Sequence, residues 1–131
     1  MSNPNSIEHR AIAAAKAYFA SEGYEVDHVS YRGVGYDLLV RRGAETLKIE
    51  VKGSKNLWGI PDPYETEVDE NRRLVADYIY MAYFQEGVEP VFCLIPRNAI
   101  NPEDLSPRRG WRIHGRIKKS SVLSQYIVTK K

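Results

Sequence analysis

The sequence predicts an α/β (α+β) domain, a central mixed β-sheet of about five strands with a leading N-terminal helix packed on it. Three observations carry this. An Ala-rich amphipathic segment opens the chain, strand-type alternation punctuated by short Gly-containing turns follows, and two apolar, aromatic-rich runs come after a polar connection.

The helix is expected from Ser6 to Glu22. Ile7, Ala11, Ala14 and Tyr18 recur at helical spacing, Ile12, Ala15 and Phe19 widen the stripe, and Gly23 is a suitable stop. Its many alanines let it lie close on a sheet. Tyr24–Tyr31, Tyr36–Arg41 and Thr46–Lys52 then read as strands. The last two are joined by Arg42-Gly43-Ala44-Glu45, hence an antiparallel hairpin. Residues 53–71 read as an acidic loop, with a short helical turn over Asp69–Ala76. Tyr78–Phe84 and Val88–Ile95 read as two further strands, the second an edge strand or one that starts just after Pro90. Beyond Pro96 the pattern suggests a helical turn at Asn101–Leu105, a strand over Trp111–Ile117, and a last helix from Ser120 or Ser121 through Tyr126.

The 131 residues suit a single domain, 1–131, with a core over about 6–96 and basic elements over 97–131. No apolar run approaches the ~20 residues of a bilayer span, so no membrane role is expected. The N-terminus lacks a secretory pattern. One cysteine, Cys93, excludes an internal disulfide framework and a multi-Cys zinc site. A cytoplasmic protein is the expectation. The net charge of +2 hides a split: residues 1–96 carry ten Lys and Arg against fifteen Asp and Glu, while residues 97–131 carry nine against two. A basic end on a nearly neutral chain suggests a polyanionic partner or a solubilising tail.

Asp37, Glu50 and Lys52 stand out. Asp37 opens one hairpin strand after Gly33-Val34-Gly35-Tyr36. Glu50 and Lys52 share a face of the next. Counted from the Gly43 turn, Asp37 and Glu50 are both about six or seven residues away, so the hairpin sets them together at its far end. Two carboxylates make a hard oxygen site for Mg²⁺, and an adjacent Lys stabilises charge on a reacting phosphate. The commonest meaning of alternating Lys48, Glu50 and Lys52 is nonetheless a solvated strand face, and an Asp at a strand start often accepts local backbone hydrogen bonds.

Through Glu8, Gly35-Tyr36-Asp37 and Ile49-Glu50-Val51-Lys52-Gly53-Ser54, the chain resembles the PD-(D/E)xK nuclease superfamily, with its restriction-endonuclease-like fold. The layout is similar to that of archaeal-type Holliday junction resolvases. The resemblance implies a metal-dependent DNA endonuclease, acting on branched or otherwise structured DNA or in restriction or repair. Asp37 and Glu50 would bind Mg²⁺, with Mn²⁺ able to replace it. The Val51 carbonyl would be a further ligand, Lys52 catalytic, and Glu8 a support for the metal. Glu8 also fits a capping box, Asn5-x-x-Glu8. Tyr36 departs from the motif's Pro, and the connection after the third strand looks short for a crossover helix.

Beside such a site, Lys55 and the basic residues Arg108, Arg109, Arg112, Arg116, Lys118 and Lys119 are candidate phosphate contacts. Trp58 and Trp111 read as packing residues, with base stacking the alternative. A homodimer is expected, because one small domain cuts one strand and a duplex has two. The alternative to an enzyme is a non-catalytic nucleic-acid-binding or assembly module on the same fold.

Overall fold

The computed structural model of the chain describes residues 6–30, 34–57, 74–99, 105–106, 112–113 and 124–128, the pairs 105–106 and 112–113 in backbone only. Helix α1 spans Ile7–Ser21. Ser6 is its N-cap and accepts a hydrogen bond from the His9 N–H at 3.2 Å. The capping-box expectation is thereby corrected. With Ser6 as cap, the reciprocal position falls on His9, and Glu8 is an exposed first-turn carboxylate favoured by the helix dipole. Gly23, at φ 89°, ends the helix where expected.

Strands β1 (Glu25–His28), β2 (Leu38–Arg42) and β3 (Glu45–Ser54) form an antiparallel meander. The β2–β3 turn is the two residues Gly43-Ala44, with Gly43 at φ 59° and Arg42 paired with Glu45. Strand β4 (Tyr78–Tyr83) lies parallel to β3, and β5 (Val91–Pro96) is antiparallel to β4. A parallel neighbour cannot be reached by a hairpin, and 23 residues separate the end of β3 from the start of β4. β5 starts just after Pro90. A two-residue strand near the C-terminus, Ile127–Val128, pairs with β5, which is therefore not an edge.

Among the described residues the main sheet has six strands rather than about five, and the α+β class stands. Taking β6 as Leu105–Ser106 and β7 as Arg112–Ile113, those two pair separately and the C-terminal strand is β8. The main order is then β1-β2-β3-β4-β5-β8.

Several local expectations change. Leu105 begins a strand, not a helical end; Ser124–Tyr126 is a 3-10 turn leading into β8; and Leu74–Ala76 is bridge and bend rather than helix. β1 is shorter than Tyr24–Tyr31, and β3 runs two residues beyond Lys52. Residues 58–73, with Trp58 and the acidic loop, lie outside the described residues, as does Trp111. Among the described residues no helix is long and apolar enough to cross a membrane.

The sheet has an apolar cluster on each face. α1 covers one: Ala11, Ala15 and Phe19 pack with Leu38, Val40, Ile49, Val51, Tyr80 and Phe92. Phe19 meets Tyr24 edge-on at 5.5 Å and Tyr80 at 6.2 Å between ring centroids. Gly53 permits the close approach of α1. A Cβ there would lie 2.5 Å from Ile7 Cγ2 and 3.3 Å from the Ala11 Cβ. The second cluster joins Leu74, Ile79, Met81, Tyr83, Cys93 and Ile95.

Candidate functional site

Asp37 sits immediately before β2, and its main chain is held from both sides. Its N–H donates to the Ile49 carbonyl at 2.9 Å, and its own carbonyl accepts from the Val29 N–H at 2.8 Å. Gly35, at φ 89°, turns the chain two residues earlier. The β2–β3 ladder ends at Leu38, paired with Ile49, and the Asp37 N–H also reaches the Ile49 carbonyl, so Asp37 stands just outside the regular ladder. It lies at the far end of the hairpin, where the count from the Gly43 turn sets it.

Glu50 and Lys52 share the face of β3 turned away from α1. Ile49 and Val51 belong to the helix-side cluster, whereas Glu50 pairs with Ile79 and Lys52 with Met81, both in the opposite cluster. The expectation of a solvated Lys48-Glu50-Lys52 face holds only for Lys48, which is exposed. Glu50 is 2% exposed and is the one buried polar or charged residue among those described. Lys52 Nζ stands 3.9 Å from Glu50 Oε2, its side chain 12% exposed. A carboxylate withdrawn from water costs several kcal/mol unless compensated, so its proximity to an ammonium is a physical requirement.

The Asp37 carboxylate accepts a hydrogen bond through Oδ2 from the Val51 N–H at 2.8 Å. In an extended strand the N–H and C=O of one residue point to the same side. The Val51 carbonyl is therefore directed toward the Asp37 edge of β3. The oxygen donors at this end of the hairpin are two carboxylates and a main-chain carbonyl, a hard set whose chemistry fits Mg²⁺ or Mn²⁺.

Glu8 is not gathered with them. It is exposed on the helix that packs against the other face, and no group of three or more His, Cys, Asp or Glu suited to a metal occurs among the described residues. Lys55 is exposed just past β3. Arg112 lies in β7; Arg108, Arg109, Arg116, Lys118 and Lys119 lie outside the described residues.

Two residues gain roles that the sequence reading passed over. Asp77 clamps the start of β4. Its N–H donates to the Lys48 carbonyl and its Oδ2 accepts from the Lys48 N–H, each at 2.8 Å, while its carbonyl accepts from the Arg97 N–H at 2.9 Å. An Asp just ahead of an apolar strand was the available signal. Tyr36, read as a strand start and as a departure from a motif, has its ring 5.8 Å from Lys48 Nζ.

A hollow of about 280 Å³ lies at the opposite, turn end of the hairpin, lined by Tyr18, Tyr24, Arg42 and Glu45 among others. Its polar groups answer one another. Tyr24 donates to Glu45 at 2.5 Å, and Arg42 lies over the Tyr24 ring and donates to the Glu22 carbonyl at 2.8 Å.

Comparison with curated proteins and with solved structures finds no match. A family model does match, over residues 7–86, which run from α1 past the end of β4 and include Asp37, Glu50 and Lys52. That span is more than half of the chain, and the chain belongs to the family described as Protein NO VEIN, C-terminal.

Proposed function

We propose that the chain is a metal-dependent DNA endonuclease of the PD-(D/E)xK type. The observation that carries this reading is Glu50: a buried carboxylate beside the Lys52 ammonium, one residue before Val51, whose N–H binds the Asp37 carboxylate. A binding surface gains nothing from burying a carboxylate, whereas a phosphodiester-cleaving centre uses one. Asp37, Glu50 and the Val51 carbonyl would hold Mg²⁺ or Mn²⁺, which when bound polarises a phosphate oxygen and lowers the pKa of water.

The chain's own residues supply the rest. The Val51 N–H ties Asp37 down through Oδ2, and Oδ1 is the oxygen that would meet a ligand. The β3 pleat keeps Glu50 and Lys52 on one face, so the ammonium reaches a phosphate placed against the carboxylates and stabilises charge building on it. Arg108, Arg109, Arg112, Arg116, Lys118 and Lys119 supply the cations that neutralise DNA phosphates, and a homodimer would address both strands.

The test is cleavage of plasmid, branched and single-stranded DNA with Mg²⁺. Asp37→Ala and Lys52→Ala are each expected to lose activity by about a thousandfold. Full activity in both variants overturns the reading. Salt-dependent DNA binding without hydrolysis under Mg²⁺ or Mn²⁺ also overturns it, and leaves the non-catalytic binding module.

A further inference from the structure

Tyr36 is a half-buried aromatic residue that belongs to neither core cluster. It stands between Gly35, whose positive φ sets the chain's direction, and Asp37. The Lys48 ammonium lies 5.8 Å from the centroid of its ring, within cation–π reach. Lys48 is exposed and shares its face of β3 with Glu50 and Lys52. An aromatic ring and an exposed cation thus meet outside the core, on residues one position from Asp37 and two from Glu50.

We infer that Tyr36 is a base-stacking platform and Lys48 its neighbouring phosphate contact, so that the site takes a DNA strand with an unpaired nucleotide at the point of cleavage. The inference rests on the nuclease reading and adds the substrate class. In a B-form stack both faces of every base are covered. A fixed protein ring reaches a base face only after unstacking, which costs a few kcal/mol in a duplex and least in a single strand, flap or junction. Stacking also tolerates any base, since each has a π-face. Lys48, next along β3, meets the phosphate of the stacked nucleotide as a point charge.

The experiment measures KM and kcat on a single-stranded oligonucleotide and on the same sequence as duplex, for the wild type, Tyr36→Phe, Tyr36→Leu and Lys48→Ala. Metal-free binding of a fluorescent single strand is followed by anisotropy in parallel. Tyr36→Leu is expected to raise KM and the anisotropy Kd for the single strand about tenfold, with kcat at saturation kept and duplex values unmoved. Tyr36→Phe retains the ring and the wild-type values. Lys48→Ala weakens binding and reduces the slope of log Kd against log salt by about 0.7.

Unchanged single-strand KM and Kd in Tyr36→Leu overturn the platform, as does equal loss on single strand and duplex, or a fall in kcat alone. If the wild type cuts nothing while Tyr36→Leu still binds the single strand about tenfold more weakly, the nuclease reading fails and the stacking platform stands.

Discussion

Near its middle β3 is buried on both faces, by opposite means. Toward α1, Ile49 and Val51 are apolar residues in an apolar cluster, and Gly53 lets Ile7 settle on the backbone. On the other face, Glu50 is as deeply covered as Ile49 yet carries a charge, with Lys52 beside it. The first face stabilises the fold by removing hydrocarbon from water. The second gives up part of that stabilisation to desolvate ions, a cost that the proposed nuclease centre would account for.

The charged face should break hardest. Lys52→Met leaves Glu50 covered without that ammonium, and an expected loss of about 3–5 kcal/mol is read from urea unfolding. Glu50→Gln in the same chain should recover much of it, because the buried charge is then gone. Millimolar Mg²⁺ should raise the unfolding midpoint of Lys52→Met more than that of the wild type. Equal midpoints would show that the two charges do not support each other.

The apolar face should break by crowding. Gly53→Ala sets a methyl 2.5 Å from Ile7 Cγ2, and helix and strand must separate at an expected cost of about 1–3 kcal/mol. Ile7→Ala should be less damaging in the Gly53→Ala background than alone, a coupling that a double-mutant cycle measures. Loss of the same size in both backgrounds would remove the close approach as the reason for Gly53.

A titration sharpens the comparison within the cluster around Met81. Burial pushes the Cys93 thiol up from its ordinary 9.0 to about 11, and burial likewise raises the Tyr83 hydroxyl. The folded state favours the protonated thiol. Its contribution is therefore whole below pH 9 and lost as pH rises through about 11. Denaturation midpoints should fall across that window, less steeply in Cys93→Ala. Smallest of all, Ser6→Ala removes the α1 cap and should cost about 1 kcal/mol, measured by thermal unfolding.

Local features were legible in the residues. The stripe Ile7, Ala11, Ala14, Tyr18 with Gly23 as stop marks α1 to within one residue at each end, since 3.6-residue periodicity and a left-handed terminator are properties of the segment itself. Arg42-Gly43-Ala44-Glu45 locates the hairpin, and counting outward from it brings Asp37 and Glu50 to its far end. Less was legible where partners are distant or pieces are short. A two-residue strand such as Ile127–Val128 has no period of its own and exists because β5 offers it an edge. The N-cap was misplaced by one residue because Asn5 and Ser6 are equally good caps, and only the observed bond from His9 separates them.

By itself, then, the sequence determined one helix, an antiparallel hairpin and a carboxylate pair at its far end, all consequences of spacing along the chain. The tertiary structure alone decided that β4 lies parallel to β3, with Asp77 clamping the two across 29 residues, and that the charged face of β3 is covered at Glu50 but open at Lys48. Alternation tells which side chains share a face. Whether that face meets water depends on what the rest of the chain lays against it, and burial of that kind leaves no period in the residues it covers.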